Sequence, residues 1–327
     1  MTTPAHTRRA ALAALFATCT ATLPVAAQTA YPSKPIKLVV GYAPGGSVDM
    51  AARVVADILA AKMGATVVVE NTPGAAGVVA AQRVVNSAAD GHTLLAGSSN
   101  EMAATGLVNP AQKYDPLTDL TPVGLIATAP VLLVAGPKTQ VKNLDGFVQL
   151  VKRNPGRFSY GSSGVGSTLH FAGELVKQRA GVFMTHIPYR GTAALSSDLV
   201  GGSVEFGVMS PTAAAPFVQS GRLVALGITS AQRFPGLPQV PALGEHPLLK
   251  GYALEGWFAL AAPKGLPADV VARLRTALKA GLADPVFRRR LEEGGSMPGS
   301  GNEDLARVMR DDVEKYRALV AFANIRE

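Results

Sequence analysis
Cysteine is nearly missing from this chain of 327 residues: Cys19 is the only one, and it lies in an N-terminal stretch that the fold does not need. Disulfides and thiol chemistry are thereby excluded from residues 28–327, which must stand on their core. Aromatic residues are few, 6% of the chain, and no arginine-rich run is interleaved with them, so a nucleic-acid footprint is lacking. Beyond residue 27 no apolar run approaches the roughly 20 residues of a membrane span. His92, His186 and His246 are scattered. The pair His170 and Glu174, one helical turn apart, supplies two ligands where a metal site needs three or more. No cofactor motif is complete, because Gly161–Ser167 lacks the lysine of a phosphate-binding loop. Gly161-Ser162-Ser163-Gly164-Val165 misses the nucleophile elbow G-x-S-x-G, since Val165 stands at the last glycine position. These absences argue against an enzyme, a metalloprotein and a membrane-spanning protein alike. One enzymatic alternative stays open, an exported α/β hydrolase or transferase using Ser163 or Ser167.

What is present begins with a leader. Arg8 and Arg9 form a basic start, Ala10–Leu23 a mostly apolar stretch, and Val25-Ala26-Ala27 a small-residue cleavage site before Gln28. Residues 1–27 therefore read as a secretory signal peptide cleaved near Ala27. Losing Arg8 and Arg9 lowers the formal charge from +8 to +6, an excess that suits a solvated surface and a weak attraction for anions. With 48% apolar residues, the remaining length supports one large or two medium α/β domains.

The strongest signal is Gly41-Tyr42-Ala43-Pro44-Gly45-Gly46-Ser47-Val48-Asp49. It follows the apolar run Ile36–Val40, a buried strand, and opens a helix whose apolar positions Met50, Val54, Ile58 and Met63 fall near a 3.6 period. Pro44-Gly45-Gly46 lets the backbone pass close to a ligand, and Ser47 is placed to cap a helix starting at Val48. Asp49 lies in the first turn, where a negative charge stabilises the helix start. Free N–H groups and the positive end of the helix dipole then face one small volume, which suits a carboxylate. The device recurs. Phe158-Ser159-Tyr160-Gly161-Ser162-Ser163-Gly164-Val165-Gly166-Ser167-Thr168 runs from a short strand into a helix with Leu169, Ala172, Leu175 and Val176 on its apolar side. Two anion-ready helix starts predict a shared site, and a Cβ added at Gly46 or Gly166 is expected to block the approach of a ligand. Ser98 and Ser99, at the exit of a third strand Thr93–Gly97, are expected to line the same site, because ligands bind at the carboxyl ends of strands in open parallel sheets.

Strand and helix alternate up to Ser99. From Thr121 to Val134 a long β-leaning run broken by Pro130 reads as a crossover between domains, and a second set of α/β units follows. Leu223–Ile228 and Trp257–Ala262 are strands that lead the chain back, and helices over 268–283 and 302–323 end it. This is an insertion topology, with residues 28–128 plus 253–327 as lobe 1 and 129–252 as lobe 2. Hinge bending is the expected motion. Tyr42 and Tyr189, at strand exits, are expected either to wall the cleft or to pack against the hinge, with Arg190 as a solvated rim charge.

The same residues carry a resemblance. The leader followed by Tyr31-Pro32-Ser33-Lys34-Pro35-Ile36, the turn Ala43–Asp49, Glu70-Asn71-Thr72-Pro73-Gly74-Ala75-Ala76-Gly77, Asp90-Gly91-His92-Thr93-Leu94-Leu95, Tyr160–Gly164 with Thr168-Leu169-His170, Ile187-Pro188-Tyr189-Arg190-Gly191, and Trp257-Phe258 together resemble the Bug family. These are the solute receptors of tripartite tricarboxylate transporters, and the similarity runs over essentially the whole mature chain. It implies a type II periplasmic-binding-protein-like fold, two α/β lobes joined by crossover strands and closing on a small organic carboxylate. The two turns would hold that ligand through backbone N–H groups and ordered water. Carried over by position, the site comprises Tyr42, Ala43, Pro44, Gly45, Gly46, Ser47 and Asp49 in the first turn, with Ser163, Gly164, Val165, Gly166, Ser167 and Thr168 in the second. The resemblance also implies a periplasmic location, membrane transporter subunits as partners, no cofactor or metal, and no catalysis. A monomer is expected.

The sequence departs from that family in two places. Gly41 stands where a proline is common. Met209 and Ser210 stand where many relatives carry an acid followed by asparagine, an acid that would meet a cationic ligand group. Without it, the far end of the ligand is expected to be neutral or anionic. A polarizable Met209 facing the cleft beside Tyr42 or Tyr189 would suit an aromatic or aliphatic acid; a core-facing Met209 is the alternative.

Overall fold
The computed structural model describes residues 31–189 and 191–325; the leader and Arg190 lie outside the described residues. The chain opens with β1 (Ile36–Val40), α1 (Ser47–Met63), β2 (Val67–Asn71), α2 (Val78–Val85), β3 (Thr93–Ser98), α3 (Pro116–Asp119) and the long β4 (Leu120–Ala129). It continues through β5 (Leu132–Ala135), α4 (Leu144–Arg153), β6 (Ser159–Ser162), α5 (Thr168–Ala180), β7 (Thr185–Pro188), α6 (Thr192–Gly201), β8 (Phe206–Met209), α7 (Pro211–Gln219) and β9 (Val224–Ile228). It returns as β10 (Gly256–Pro263), α8 (Ala268–Leu282), α9 (Pro285–Glu293), β11 (Met297–Pro298) and α10 (Leu305–Ala323).

Two sheets result, in the orders β11-β4-β10-β3-β1-β2 and β7-β6-β8-β5-β9. They repeat one plan. In the first, β2, β1 and β3 are parallel and β10 lies antiparallel beside β3. In the second, β7, β6 and β8 are parallel and β5 lies antiparallel beside β8. β10 is buried along its whole length and β1 at four of its five positions, the near-continuous apolar pattern of strands covered on both faces. The first sheet takes its strands from residues 36–129 and 256–298, and the second from 132–228.

Pro130 marks the change of sheet, because its ring removes a ladder donor between β4 and β5. Beside it the two crossing segments are tied together. Val131 N–H donates to Thr229 Oγ1, and Thr229 N–H returns a bond to Val131 O, both at 2.9 Å. Three features differ from the reading of the sequence. α1 starts at Ser47 with Gly46 as its N-cap, so Ser47 is not the capping residue. α7 starts at Pro211 rather than near 213, and Ser210 Oγ caps it by accepting Ala213 N–H at 3.3 Å; a proline at the first helical position loses only a donor that has no partner anyway. α9 and β11 carry no expectation at all. β11 is two residues long and exists through its pairing with β4.

Candidate functional site
A cavity of about 550 Å³ is lined from the strand exits of both sheets. Of the residues expected there, Tyr42, Ala43, Pro44, Gly46, Ser47, Ser98, Ser99, Ser163, Thr168 and Ser210 line it. Gly45, Asp49, Gly164, Val165, Gly166, Ser167, Tyr189 and Met209 do not. Among the described residues no Asp, Glu, Lys, Arg or His lines this cavity, so what they offer a charged ligand is backbone dipoles and neutral polar groups.

The first turn is braced from behind. Asp49 is 1% exposed; its Oδ2 accepts from Gly45 N–H and Arg53 Nε, both at 2.9 Å, and its Oδ1 accepts from Asn71 Nδ2 at 2.8 Å. Burial pushes this carboxyl up, but the bonds from Arg53, Gly45 and Asn71 together outweigh it and hold the group below the usual carboxylate range. Asp49 therefore shapes the turn, and Gly45, at φ 84°, gives its N–H to that brace instead of to a ligand. The cavity receives the start of α1. Its first intrahelical bond runs from Met50 N–H to Gly46 O, which leaves the N–H groups of Ser47, Val48 and Asp49 without helical partners. With Gly46 as N-cap, the Ser47 hydroxyl is not spent on capping.

Under this turn lies a buried network. Glu101 is 0% exposed; its Oε1 accepts Ser98 N–H at 2.7 Å, and its Oε2 accepts the Ser98 hydroxyl at 2.6 Å and the Tyr42 hydroxyl at 2.9 Å. Burial pushes the Glu101 carboxyl up despite those bonds, and it also pushes up the Tyr42 hydroxyl, with Glu101 adding to the effect. Asn100 Nδ2 donates to the Tyr42 hydroxyl at 3.2 Å, while Asn100 Oδ1 accepts both the N–H and the hydroxyl of Thr168 at 3.1 Å. Ser99 Oγ and Thr168 Oγ1 are 3.0 Å apart. The loop after β3 and the start of α5 are thus joined across the cavity floor. Sequence reasoning put Asn100 in the strand-exit loop Ser98-Ser99-Asn100 that lines the site but gave it no role, and it missed Glu101, which follows as one more polar residue of that exit. The space Glu101 occupies is kept by Gly77 and Gly97, whose added Cβ atoms would fall 2.6 and 2.8 Å from its carboxyl.

The second turn is not a copy of the first. Ser167 caps α5, accepting His170 N–H at 3.2 Å and donating to Gly164 O at 2.8 Å. Gly164 N–H donates to Ser162 Oγ and Gly166 N–H to His170 Nδ1, each at 3.2 Å. With Thr168 N–H given to Asn100, most donors assigned to a ligand are satisfied inside the protein. Val165 packs on the core, so only Ser163 and Thr168 from this turn reach the cavity. The helix starts that line the cavity on this side are those of α6, at Gly191 and Thr192, and of α7, at Ser210–Thr212. Met209 is 0% exposed and packs with Leu132, Val134 and Ile228. All four residues of β8 are buried, so both faces are core, and Met209 takes the core-facing alternative. Tyr189 turns its ring onto Gly161 and donates its hydroxyl to Asp198 Oδ2 at 2.7 Å, which removes it from the cleft wall.

Behind the second turn His170 and His186 stack with ring centroids 3.7 Å apart. His186 Nε2 is 2.7 Å from Ser162 Oγ, and His170 Nδ1 accepts from Gly166, so neither imidazole is bonded to Ser163 or Ser167. Burial lowers His170 to about 3, helped by His186 and Lys177, and lowers His186 to about 4, helped by Lys177. Both values lie below the ordinary 6.5, so in mild acid the unfolded chain binds more protons than the folded one. The stability these rings contribute is full above pH 6.5 and is lost as the pH falls toward 4. At pH 5 the loss is roughly 2 kcal/mol per ring. His186→Asn keeps a polar partner for Ser162 and cannot titrate; it is expected to narrow the gap between the melting temperatures at pH 7.5 and pH 5 by several degrees. An unchanged gap would clear His186 of any part in acid sensitivity. Among the described residues no group of three or more His, Asp or Glu is arranged to hold a metal ion.

Set against known proteins, the family described as the tripartite tricarboxylate transporter family receptor matches residues 51–325. BugT of Bordetella pertussis is 34% identical over 317 residues, covering 96% of this chain and 97% of that protein. Among solved structures, Rpa4515 of R. palustris with adipate is similar with a TM-score of 0.79 at 33% identity, covering 90% of this chain and 99% of that one. MatC from Rhodopseudomonas palustris with bound malate gives 0.75 at 30% identity, covering 89% and 100%.

Proposed function
This chain belongs to the family of tripartite tricarboxylate transporter receptors, and from that membership we propose that it is an exported periplasmic receptor, which closes two lobes on a small organic carboxylate and hands it to the membrane subunits of its transporter. The observation that carries this reading is the cavity, without a charged side chain among its described lining residues, at which α1 starts with Ser47 and Val48 beside Ser98, Ser99 and Asn100. Hydrogen bonds to a charged group contribute roughly 1.5–3 kcal/mol each, so about four of them offset much of the cost of association. A carboxylate uses such donors well and a neutral ligand does not. The relatives solved with adipate and with malate are in keeping with that chemistry.

We read residues 28–128 plus 253–327 as lobe 1 and 129–252 as lobe 2, which fits the source of the strands in each sheet. The hinge falls at the crossings tied by Val131 and Thr229. The signal peptide over 1–27 and a monomeric receptor belong to the same proposal. So does the absence of catalysis, which is supported by the engagement of His170 with Gly166 and of His186 with Ser162, away from Ser163 and Ser167.

A thermal-shift series tests it. Ligand at about 100 times its dissociation constant adds roughly 2.7 kcal/mol of stability. At least one mono-, di- or tricarboxylate is expected to raise the melting temperature by several degrees, and its neutral amide is expected to raise it far less. Equal shifts with acid and amide would overturn the reading.

A further inference from the structure
The charge of the chain beyond its leader is unevenly placed. Residues 129–252 hold eleven Lys and Arg against five Asp and Glu, whereas the remaining residues beyond 27 hold eighteen of each. The whole excess of +6 therefore lies between 129 and 252.

Much of that excess gathers at one end of the second sheet. The loop 154–158 leads into β6 and the loop 181–184 into β7, which are parallel strands. Both loops thus lie at the amino ends of the sheet, opposite the strand exits that line the cavity. They are bonded to each other, since Gly156 N–H donates to Phe183 O at 3.2 Å and Thr185 N–H to Phe158 O at 3.0 Å. Phe183 stands out from this end, 58% exposed, with Lys177 Nζ 5.4 Å from the centre of its ring. Lys152, Arg153 and Arg157 flank the first loop, and Arg179 the second. A Cβ added to Gly251 would fall 4.0 Å from Arg179 Nη1, which brings Lys250 to the same end.

Among the described residues Lys152, Arg153, Arg157, Arg179 and Lys250 have neither an ion-pair nor a hydrogen-bond partner. Lys142 apart, the other described cations of 129–252 are engaged: Lys138 with Gly202 O, Lys177 with Glu174, Arg222 with Ser220 and Arg233 with Glu245. The acids at this end are occupied as well. Glu174 pairs with Lys177 at 2.8 Å, and Glu205 Oε2 accepts Ser159 N–H at 2.9 Å. Lys152, Arg153, Lys177 and Arg179 sit in the last turns of α4 and α5, where a cation offsets the helix dipole. Arg157 lies in no helix, and helix ends give no reason for an exposed phenylalanine among the cations.

We propose that this end of the molecule is a docking surface for an anionic phospholipid bilayer, with the cations against the headgroups and Phe183 set into the interface. A bilayer surface requires a density of unpaired basic side chains and an apolar wedge, and both are present. An acidic protein would instead need a matched patch of roughly 800 Å², with acids fixed against side chains that nothing in this fold holds in place. Each basic side chain near an anionic leaflet strengthens attachment about fivefold. None of these residues lines the cavity, so attachment leaves it open, and the proposal goes beyond the receptor reading without depending on it.

Flotation of the full mature chain with lipid vesicles tests the surface. At low salt the protein is expected to attach roughly tenfold more strongly to vesicles of equal parts phosphatidylglycerol and phosphatidylcholine than to pure phosphatidylcholine, and to be released at about 0.5 M salt. Arg153→Gln combined with Arg157→Gln is expected to weaken attachment about tenfold or more, and Phe183→Ser about threefold. Arg289→Gln combined with Arg310→Gln removes the same charge from exposed positions elsewhere, and is expected to stay within about threefold of the unaltered protein. Circular dichroism and melting temperature establish that each variant is folded. Equal attachment to both kinds of vesicle, attachment to neither, or an equal loss from the two double variants would overturn the surface and leave the receptor reading standing.

Discussion
Glu101→Ala is expected to remove about 3–5 kcal/mol of folding stability, whereas Glu101→Gln is expected to leave the protein at least as stable at pH 8. Alanine strips Ser98 N–H of its acceptor, takes one acceptor from the hydroxyls of Ser98 and Tyr42, and opens a void between Gly77 and Gly97. Glutamine keeps the shape. Its oxygen can take Ser98 N–H, and its amide can donate to the hydroxyls of Ser98 and Tyr42, with Tyr42 donating in turn to Ala76 O, 3.0 Å away. Burial holds the Glu101 carboxyl above its ordinary 4.5, so the folded state keeps the proton more firmly than the unfolded one. The contribution of that group is full below pH 4.5 and is lost as the pH rises through the raised value. Glutamine cannot titrate, so the stability of Glu101→Gln relative to the unaltered protein should increase from pH 5 to pH 8. Urea denaturation at those two pH values measures this. A glutamine variant that falls as far as the alanine variant would mean that the carboxylate itself, charged, is what the network needs.

The parts of this molecule that were legible in the sequence are those where local chemistry and fold agree. β1 into α1 and β6 into α5 could be read because an apolar run, a small-residue turn and a 3.6 period follow in order, and Pro130 could be read as a break because no proline continues a central strand. The site was half legible for the same reason. Ser47, Ser98 and Ser163 sit at strand exits, which is where parallel sheets leave room. What stayed hidden depends on partners far along the chain. Gly166 and Thr168 look like donors for a ligand until His170 and Asn100 are seen to take their N–H groups. Met209 looks like a cleft residue until β8 is seen to be core on both faces. Ser296, which lines the cavity just before β11, gives no signal at all, because that strand is defined by register with β4 and not by any run of its own.

The two turn glycines, alike in the sequence, are expected to respond very differently to substitution. Gly46 is extended, with φ −75°, and an added Cβ would find only Ala43 O at an ordinary 3.5 Å. Gly46→Ala should therefore leave the melting temperature within about 2 °C of that of the unaltered protein, a change of well under 1 kcal/mol. Gly166 has φ 70°, in the left-handed region, and its added Cβ would overlap Cγ2 of Val108. The first term costs roughly 1–2 kcal/mol for any other residue. The second adds overpacking of about 1–3 kcal/mol. Neither involves the ligand directly, contrary to the expectation that a Cβ here blocks its approach. What moves is the turn itself, and with it Ser163 and the bond from Thr168 to Asn100 that joins the cavity floor. Gly166→Val is accordingly expected to weaken carboxylate binding at least 100-fold, about 2.7 kcal/mol, while the fold persists at a lower melting temperature. Combining Gly166→Ala with Val108→Ala relieves the overlap and leaves the backbone strain, so calorimetry on that pair should recover part of the loss that Gly166→Ala shows alone. If Gly166→Val binds within about threefold of the unaltered protein, the second turn is not held against Val108 in the binding state, and the floor joined through Asn100 is not what positions the ligand.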